Sequence, residues 1–367
     1  MTAPHGGDME AVSREYGIPI AELIDFSASI NPLGPPASVL ARLQRESTDI
    51  SLLSRYPDPR SSELRSALAT RLDVSAQCLT IANGSAALVG AVVRAVGART
   101  CLLPVPAFSE QPHALSAAGC AMTRFPLDGA HGFRLDTGAL CHAIAQLKPT
   151  VCVLTNPHNP SGMLTTAVEM GMLVRAAVTS QVLLLVDEAF MDFAPTETLI
   201  AEATRVNQLV VLRSLTKFYG MPALRVGYCV STPEMAEHIN AQLPTWPVTA
   251  LAASAAVEAV RDDQYAAETL CTVARDRQHF RDELARAEIE SLPSAANFLL
   301  LRLPSRAPQS TRLRMHLIRS HGIVVRDCCS FDGMADGRFI RVAVRARADN
   351  MRLVDALRSA VRGDLDC

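Results

Sequence analysis

The chain has 367 residues, 49% hydrophobic and 20% charged, with a formal charge of −2 and ten cysteines. Single cores stop growing near ~250–300 residues, so a large unit and a smaller one are expected. The near-neutral balance excludes a broad basic field for nucleic acid, and no apolar run approaches the ~20 residues that span a bilayer.

The cysteines form no CxxC or Cys/His spacing for zinc, so no metal is expected. The opening MTAPHGGDMEAVSREYG lacks the basic start and apolar stretch of a signal peptide. Scattered thiols without a leader are read as free cysteines of a cytoplasmic protein.

In chain order, residues 78–82, 101–103, 151–154, 182–186, 209–212 and 226–230 are short runs rich in Val, Leu and Ile. Helical periodicity fills several gaps between them, as at 86–96 and 166–178. Runs apolar throughout suit strands buried on both faces, which predicts an α/β fold with a mostly parallel sheet flanked by helices. Ligands of such sheets gather at the carboxyl ends of strands. After Pro244-Thr-Trp-Pro247, residues 250–287 read as long alanine-rich helix. Then 297–303 reads as a strand, 311–321 as a helix, and 323–326 and 339–344 as strands. The expected division is an N-terminal segment 1–45 packing with the smaller unit, a large unit 46–242, and a smaller α+β unit 243–367.

Chemistry concentrates at strand ends. Ser214-Leu-Thr-Lys217-Phe-Tyr-Gly follows the run 209–212, and Leu224-Arg225-Val-Gly lies just beyond. A lysine leaving a buried sheet has its ammonium form disfavoured and becomes a nucleophile toward an aldehyde. Ser214 and Arg225 supply a hydroxyl and a planar cation suited to a phosphate. The run 182–186 leads directly into Asp187, a costly place for a carboxylate unless it is paired, for instance with a protonated pyridine nitrogen. A helix N-cap is the other reading of Asp187. In Asn156-Pro-His-Asn159-Pro-Ser-Gly162, Asn159 is placed to donate its amide to a ring oxygen, although two Asn-Pro steps also make a plain turn. Asn83-Gly84-Ser85 joins a strand to a helix, where open N–H groups favour an anion.

Together these residues resemble the fold-type I pyridoxal 5'-phosphate (PLP) enzymes, in the class I/II aminotransferase group that includes histidinol-phosphate aminotransferases. The similarity runs through nearly the whole chain in order. It implies PLP as cofactor, Lys217 as the lysine that joins it, Asp187 as its ring-nitrogen partner and Asn159 as its ring-oxygen donor. Gly84, Ser85, Ser214 and Arg225 match its phosphate cup. Phe108, in Pro104-Val-Pro-Ala-Phe108, matches the aromatic stacked on the ring. Tyr56, in Arg55-Tyr56-Pro-Asp, matches a tyrosine that reaches a neighbouring subunit's cofactor phosphate, which implies a homodimer. Arg341, in Phe339-Ile-Arg341-Val, matches the clamp on the substrate carboxylate. One departure is Phe190, where the aminotransferases of this group usually carry tyrosine.

Within that family, His5-Gly-Gly-Asp8, Ile24-Asp-Phe-Ser27-Ala-Ser-Ile-Asn31-Pro-Leu-Gly34, Asp187-Glu-Ala-Phe-Met-Asp-Phe193 and Ile323-Val-Val-Arg326-Asp-Cys328 resemble the threonine-phosphate decarboxylase branch of cobalamin biosynthesis. Asp8 departs from the asparagine of many relatives. A phosphorylated amino acid needs a second anion site, for which His5, Asn31 and Arg326 are the candidates. Their plainer readings are a tail, a turn and a surface ion pair. The resemblance implies decarboxylation of threonine O-3-phosphate to aminopropanol phosphate. The alternatives are an aminotransferase of the histidinol-phosphate type and a decarboxylase of another phosphorylated amino acid such as phosphoserine. No nucleic-acid or membrane partner is expected.

Overall fold

A computed structural model describes residues 6–362. Its strands are β1 (Ile24–Asp25), β2 (Leu79–Ala82), β3 (Thr100–Val105), β4 (Ala121–Pro126), β5 (Val151–Thr155), β6 (Leu183–Asp187), β7 (Leu209–Ser214) and β8 (Gly227–Val230), then β9 (Glu290–Ser291), β10 (Phe298–Arg302), β11 (Ile323–Val324), β12 (Arg326–Asp327) and β13 (Phe339–Ala343). Seven form one sheet in the order β2-β8-β7-β6-β5-β3-β4. From β7 to β4 every pairing is parallel, and β8 is antiparallel to both of its neighbours. This is the mostly parallel α/β sheet that the apolar runs predict.

The period of two along each strand divides the core between the sheet's faces. Leu184, Val186 and Val211 join one buried cluster, while Leu183, Leu185, Val210 and Leu212 join another on the opposite side. Helix Ala167–Ser180 brings Met170, Leu173 and Ala177 to the first face, and its start is fixed by a Thr166/Glu169 capping box. Helix Ser85–Ala95 brings Leu88, Val89 and Val92 to the second. Each fully buried side chain of this kind contributes about 1.5–3 kcal/mol. With both faces covered, the strand ends are where polar groups can converge.

A second sheet, β12-β13-β10-β9, is antiparallel and lies over a separate cluster that includes Phe280, Leu299, Leu301, Ile340 and Leu357. β1 pairs in parallel with β11, matching Ile24 to Ile323 and Asp25 to Val324. The chain then continues toward the large sheet. Ala343 N donates to Phe26 O at 2.9 Å, and Asn31 N donates to Lys217 O at 3.1 Å.

Three elements differ from expectation. The stretch 250–287 is two helices, Ala250–Arg261 and Asp263–Arg286, because the Asp262 carboxylate caps the second by accepting from Tyr265 N. The run 323–326 is two strands, because Val325 is the point where the chain leaves β1 for β13. β4 escaped notice because an edge strand with mostly exposed positions has no apolar run. Among the described residues, no helix is long and apolar enough to cross a membrane, and no group of three or more His, Cys, Asp or Glu side chains could hold a metal ion.

Candidate active site

Asp187 ends β6 in the middle of the sheet and is 5% exposed. Its Oδ1 accepts from Ala189 N at 3.1 Å and its Oδ2 from Gln111 Nε2 at 3.3 Å. Burial pushes its carboxyl above the usual range, partly offset by these two donors and by the charge of Lys217. Among the described residues it has no ion-pair partner. A buried carboxylate left in that state calls for a cationic donor from a ligand.

Lys217 stands one turn beyond β7, in the short helix Leu215–Phe218. Its Nζ donates to Thr216 Oγ1 at 3.1 Å, and Ser214 Oγ meets the same hydroxyl at 2.7 Å. Desolvation pushes the lysine down to about 8, with Arg225 adding to the fall, Asp187 opposing it and Arg341 contributing further. Opposing charges therefore surround an amine that is still mostly protonated at pH 7 but gives up its proton far more readily than an ordinary lysine.

Gly84 precedes helix Ser85–Ala95 with φ +79°, and no side chain caps that helix start. A Cβ at Gly84 would stand 2.6 Å from Arg225 Nη2, so glycine is what lets the guanidinium approach the open N–H groups. Gly227 on β8 in turn leaves room for the Gly84–Ser85 backbone, since its Cβ would fall 2.4 Å from Ser85 N. The hydroxyl, cation and helix start expected of a phosphate cup are thus gathered at Gly84, Ser85 and Arg225, with Ser214 on the adjoining strand end.

Arg341 and Arg326 face each other across β13 and β12 as register partners, 8% and 7% exposed. Arg341 Nη1 donates to Asn159 Oδ1 at 2.6 Å and Nη2 to Ser27 O at 3.0 Å, while its guanidinium lies over the Phe298 ring. Desolvation lowers Arg341 to about 10. Because Asn159 Oδ1 is taken, the amide N–H groups of Asn159 are what it has to offer a ring oxygen. Arg326 Nη2 donates to Ser330 Oγ at 2.7 Å, and its guanidinium lies over the Phe331 ring. Arg326 also lines a cavity of about 150 Å³ with Gly6, Gly7, Ser27, Arg314 and Ser330.

Other expectations fare differently. Asn31 is corrected. It is 3% exposed, and its amide donates to Phe218 O, Tyr265 Oη and Thr269 Oγ1 at 2.7–2.9 Å, while its Oδ1 accepts from Leu33 N. With donors and acceptor committed, it fixes the lysine loop and has nothing left for a substrate phosphate. His5 lies outside the described residues. Tyr56 is 77% exposed and stacks on Trp246 with ring centroids 4.2 Å apart. Phe108 is half-buried in the turn after β3, and its carbonyl accepts from Gln111 N. Phe190, where the resemblance implies a tyrosine, packs edge-on against Phe298 and presents an apolar ring there.

Sequence reasoning missed Gln111, which reads as an ordinary polar residue at a helix start. It also missed the buried Glu188–Arg213–Asp192 network behind Asp187, although Glu188 and Asp192 both stand in the Asp187–Phe193 motif. Arg213 Nη1 donates to Glu188 Oε2 at 3.0 Å and Nη2 to Asp192 Oδ1. Burial alone would lower Arg213, but Asp192, Tyr228 and Glu188 together hold it raised.

The model for aminotransferase class I and II matches residues 21–358. The chain belongs to that family. Members of the aminotransferase class I and II family are PLP-dependent enzymes, and the residues here fit the cofactor. The evidence is Lys217 lowered to about 8, the buried Asp187 with no ion-pair partner among the described residues, and the cradle at Gly84 beside Arg225. The chain is 34% identical to a threonine-phosphate decarboxylase of Salmonella typhimurium, over 98% of this chain and 97% of the other. A histidinol-phosphate aminotransferase from Sinorhizobium meliloti, solved in complex with pyridoxal 5'-phosphate, superposes with a TM-score of 0.88 at 25% identity, covering 97% of this chain and 95% of that one. An L-threonine-O-3-phosphate decarboxylase from Porphyromonas gingivalis gives a TM-score of 0.79 at 25% identity, covering 92% and 99%.

Proposed function

We propose that this protein decarboxylates L-threonine O-3-phosphate to (R)-1-amino-2-propanol O-2-phosphate, as a step of cobalamin biosynthesis. The observation that carries the reading is the pair of buried arginines, Arg341 and Arg326, set side by side, with Arg341 close enough to Lys217 to help lower it. Two fixed cations at one site suit a substrate with two anionic ends, a carboxylate and a phosphate ester. The likeness to the Salmonella typhimurium enzyme over nearly the full length of both chains supports the same assignment.

PLP supplies an aldehyde for the substrate amine and a ring that accepts electrons from the substrate Cα. Gly84, Ser85, Ser214 and Arg225 would hold its phosphate, with Phe108 against the ring face. Asp187 would keep a proton on the ring nitrogen, and Asn159 would donate to the ring oxygen. Arg341 would grip the substrate carboxylate and Arg326 its phosphate. Held at both ends by Arg341 and Arg326, the substrate would be fixed in one orientation that favours loss of its carboxylate, and such orientation is worth several kcal/mol. Once CO2 has left, Lys217 Nζ (or a water) returns a proton to Cα, a role suited to an amine lowered to about 8.

The exposed Tyr56–Trp246 stack, with Ile50 at 78% and Leu53 at 55% exposed beside it in sequence, supports a homodimer in which Tyr56 serves the neighbouring site. The proposed division remains 1–45, 46–242 and 243–367, in a cytoplasmic enzyme.

The purified protein should be assayed on threonine phosphate, serine phosphate and histidinol phosphate, with and without 2-oxoglutarate. CO2 released from threonine phosphate without any keto acid is the expected result. Turnover that requires 2-oxoglutarate and releases no CO2 would instead assign an aminotransferase.

A further inference from the structure

Gln111 is 1% exposed, an unusual place for a glutamine, and its amide is spent on the strand ends that build the site. Nε2 donates to Thr155 Oγ1 at 2.8 Å and to Asp187 Oδ2 at 3.3 Å. Thr155 and Asp187 are themselves register partners at the ends of β5 and β6. Gln111 N also donates to Phe108 O at 2.9 Å, closing the turn that carries the proposed stacking ring. One residue therefore ties together the end of β5, the carboxylate at the end of β6 and the aromatic turn after β3.

The carboxylate of Asp187 has two donors, Ala189 N on Oδ1 and Gln111 Nε2 on Oδ2. The first belongs to the carboxylate's own loop and cannot by itself stop rotation about χ2. The second comes from another element and does. We propose that Gln111 is a positioning residue that locks the rotation of Asp187, keeps its carboxylate ionised, and so sets how firmly a pyridine nitrogen is held protonated. This rests on the reading of Asp187 as the ring-nitrogen partner. Burial favours the neutral acid at this position, and the glutamine amide is the side-chain donor that counters it. A carboxylic acid in place of a carboxylate would leave the ring a weaker electron acceptor. The loss should therefore fall on cofactor affinity and on kcat, while KM is set elsewhere, at Arg341 and Arg326.

The test uses Gln111→Met, which keeps volume and removes both donors, and Gln111→Glu, which keeps shape and sets a second carboxyl against the first. Three quantities are read on each holoprotein: the dissociation constant for PLP by equilibrium dialysis, the visible absorption spectrum, and kcat and KM for CO2 release. A hydrogen bond to a charged group is worth roughly ten- to a hundredfold, so Q111M should weaken PLP and lower kcat by about that factor, with KM within about twofold. Q111E should shift the spectrum and lose at least as much, because two adjacent carboxyl groups cannot both stay ionised. If Q111M does not fold, Q111E alone decides between the outcomes.

Asp187→Asn separates the two levels of inference. The double variant Q111M/D187N should be no worse than D187N, because the glutamine acts through the aspartate. If D187N itself binds PLP normally with an unaltered spectrum, the reading of Asp187 is wrong and Gln111 falls with it. If D187N is crippled while Q111M and Q111E keep parental affinity, spectrum and kcat, Gln111 alone is overturned.

Discussion

Arg341 and Asn159, 182 positions apart in the chain, meet in a buried hydrogen bond of 2.6 Å from Nη1 to Oδ1. The bond joins β13, which carries the proposed carboxylate clamp, to the turn after β5, which carries the proposed ring-oxygen donor. It also dictates which way round the Asn159 amide sits. Substrate and cofactor contacts are thus linked through one guanidinium.

Replacing Arg341 by lysine tests that link. An ammonium cannot span Asn159 Oδ1 and Ser27 O together as the planar fork does. R341K is expected to lower kcat/KM for the carboxylate substrate by about a hundredfold, and also to shift the visible spectrum of the PLP-loaded protein as Asn159 loses its orientation. A large rise in KM with an unaltered spectrum would mean that Arg341 acts on substrate alone.

Arg326→Ala probes the second anion. With its guanidinium buried beside Ser330 and Phe331, the change removes a fork suited to phosphate and leaves β12 paired to β13 through the backbone. KM for threonine phosphate should rise at least tenfold, about the worth of one charge-assisted hydrogen bond. KM for unphosphorylated threonine should stay the same. Equal effects on both substrates would remove Arg326 from phosphate recognition.

The lysine makes a pH prediction. Capture of the PLP aldehyde needs neutral amine, and with Lys217 at about 8 that form makes up about 1% at pH 6 and about 10% at pH 7. The initial rate at which apoprotein turns yellow should climb about tenfold across that unit and level off above about pH 9. Replacing Arg225 by glutamine removes a repelling cation, so the rise should move to higher pH. A parental midpoint near that of an ordinary lysine would contradict the desolvated setting.

Arg213 is a stability prediction. Changing it to methionine strands Glu188 and Asp192 without their cation, with Glu188 fully buried and held by Thr198 and Leu199 N as well. Breaking one side of a buried ion pair costs about 3–5 kcal/mol. The denaturation midpoint of R213M apoprotein should fall accordingly. A midpoint matching the parent would show that Glu188 takes up a proton at little cost.

Much of the fold was legible because the central strands are apolar on both faces. Residues 151–154, 182–186 and 209–212 are runs that only a covered parallel sheet requires, and their carboxyl ends named Asp187, Asn159 and Lys217 directly. What stayed hidden depends on contacts between distant segments. Asn31 sits in a Pro/Gly-rich turn that reads equally as ligand or structure, and only its contacts with Phe218, Tyr265 and Thr269 settle the matter. Gln111 carries no local mark, since burial of a glutamine comes from what packs above it. Asp262 looked like one more charge on a long helix, because a break there depends on the cap it gives to Tyr265 N. β4 is an edge strand, and edges lack the pattern by which strands are recognised.

The N-terminal segment gives the molecule an order of assembly. Asn31 bonds to the backbone at Lys217 and Phe218, yet the short strand β1 just before it finds its partner only at Ile323 and Val324. On a growing chain, the segment from β1 to Asn31 must therefore wait for some three hundred more residues before it is anchored on both sides. A fragment ending after the seventh strand of the large sheet would contain the lysine and the aspartate but would lack the outer anchor of the lysine's seat. The completed seat of the lysine is thus a property of the whole chain.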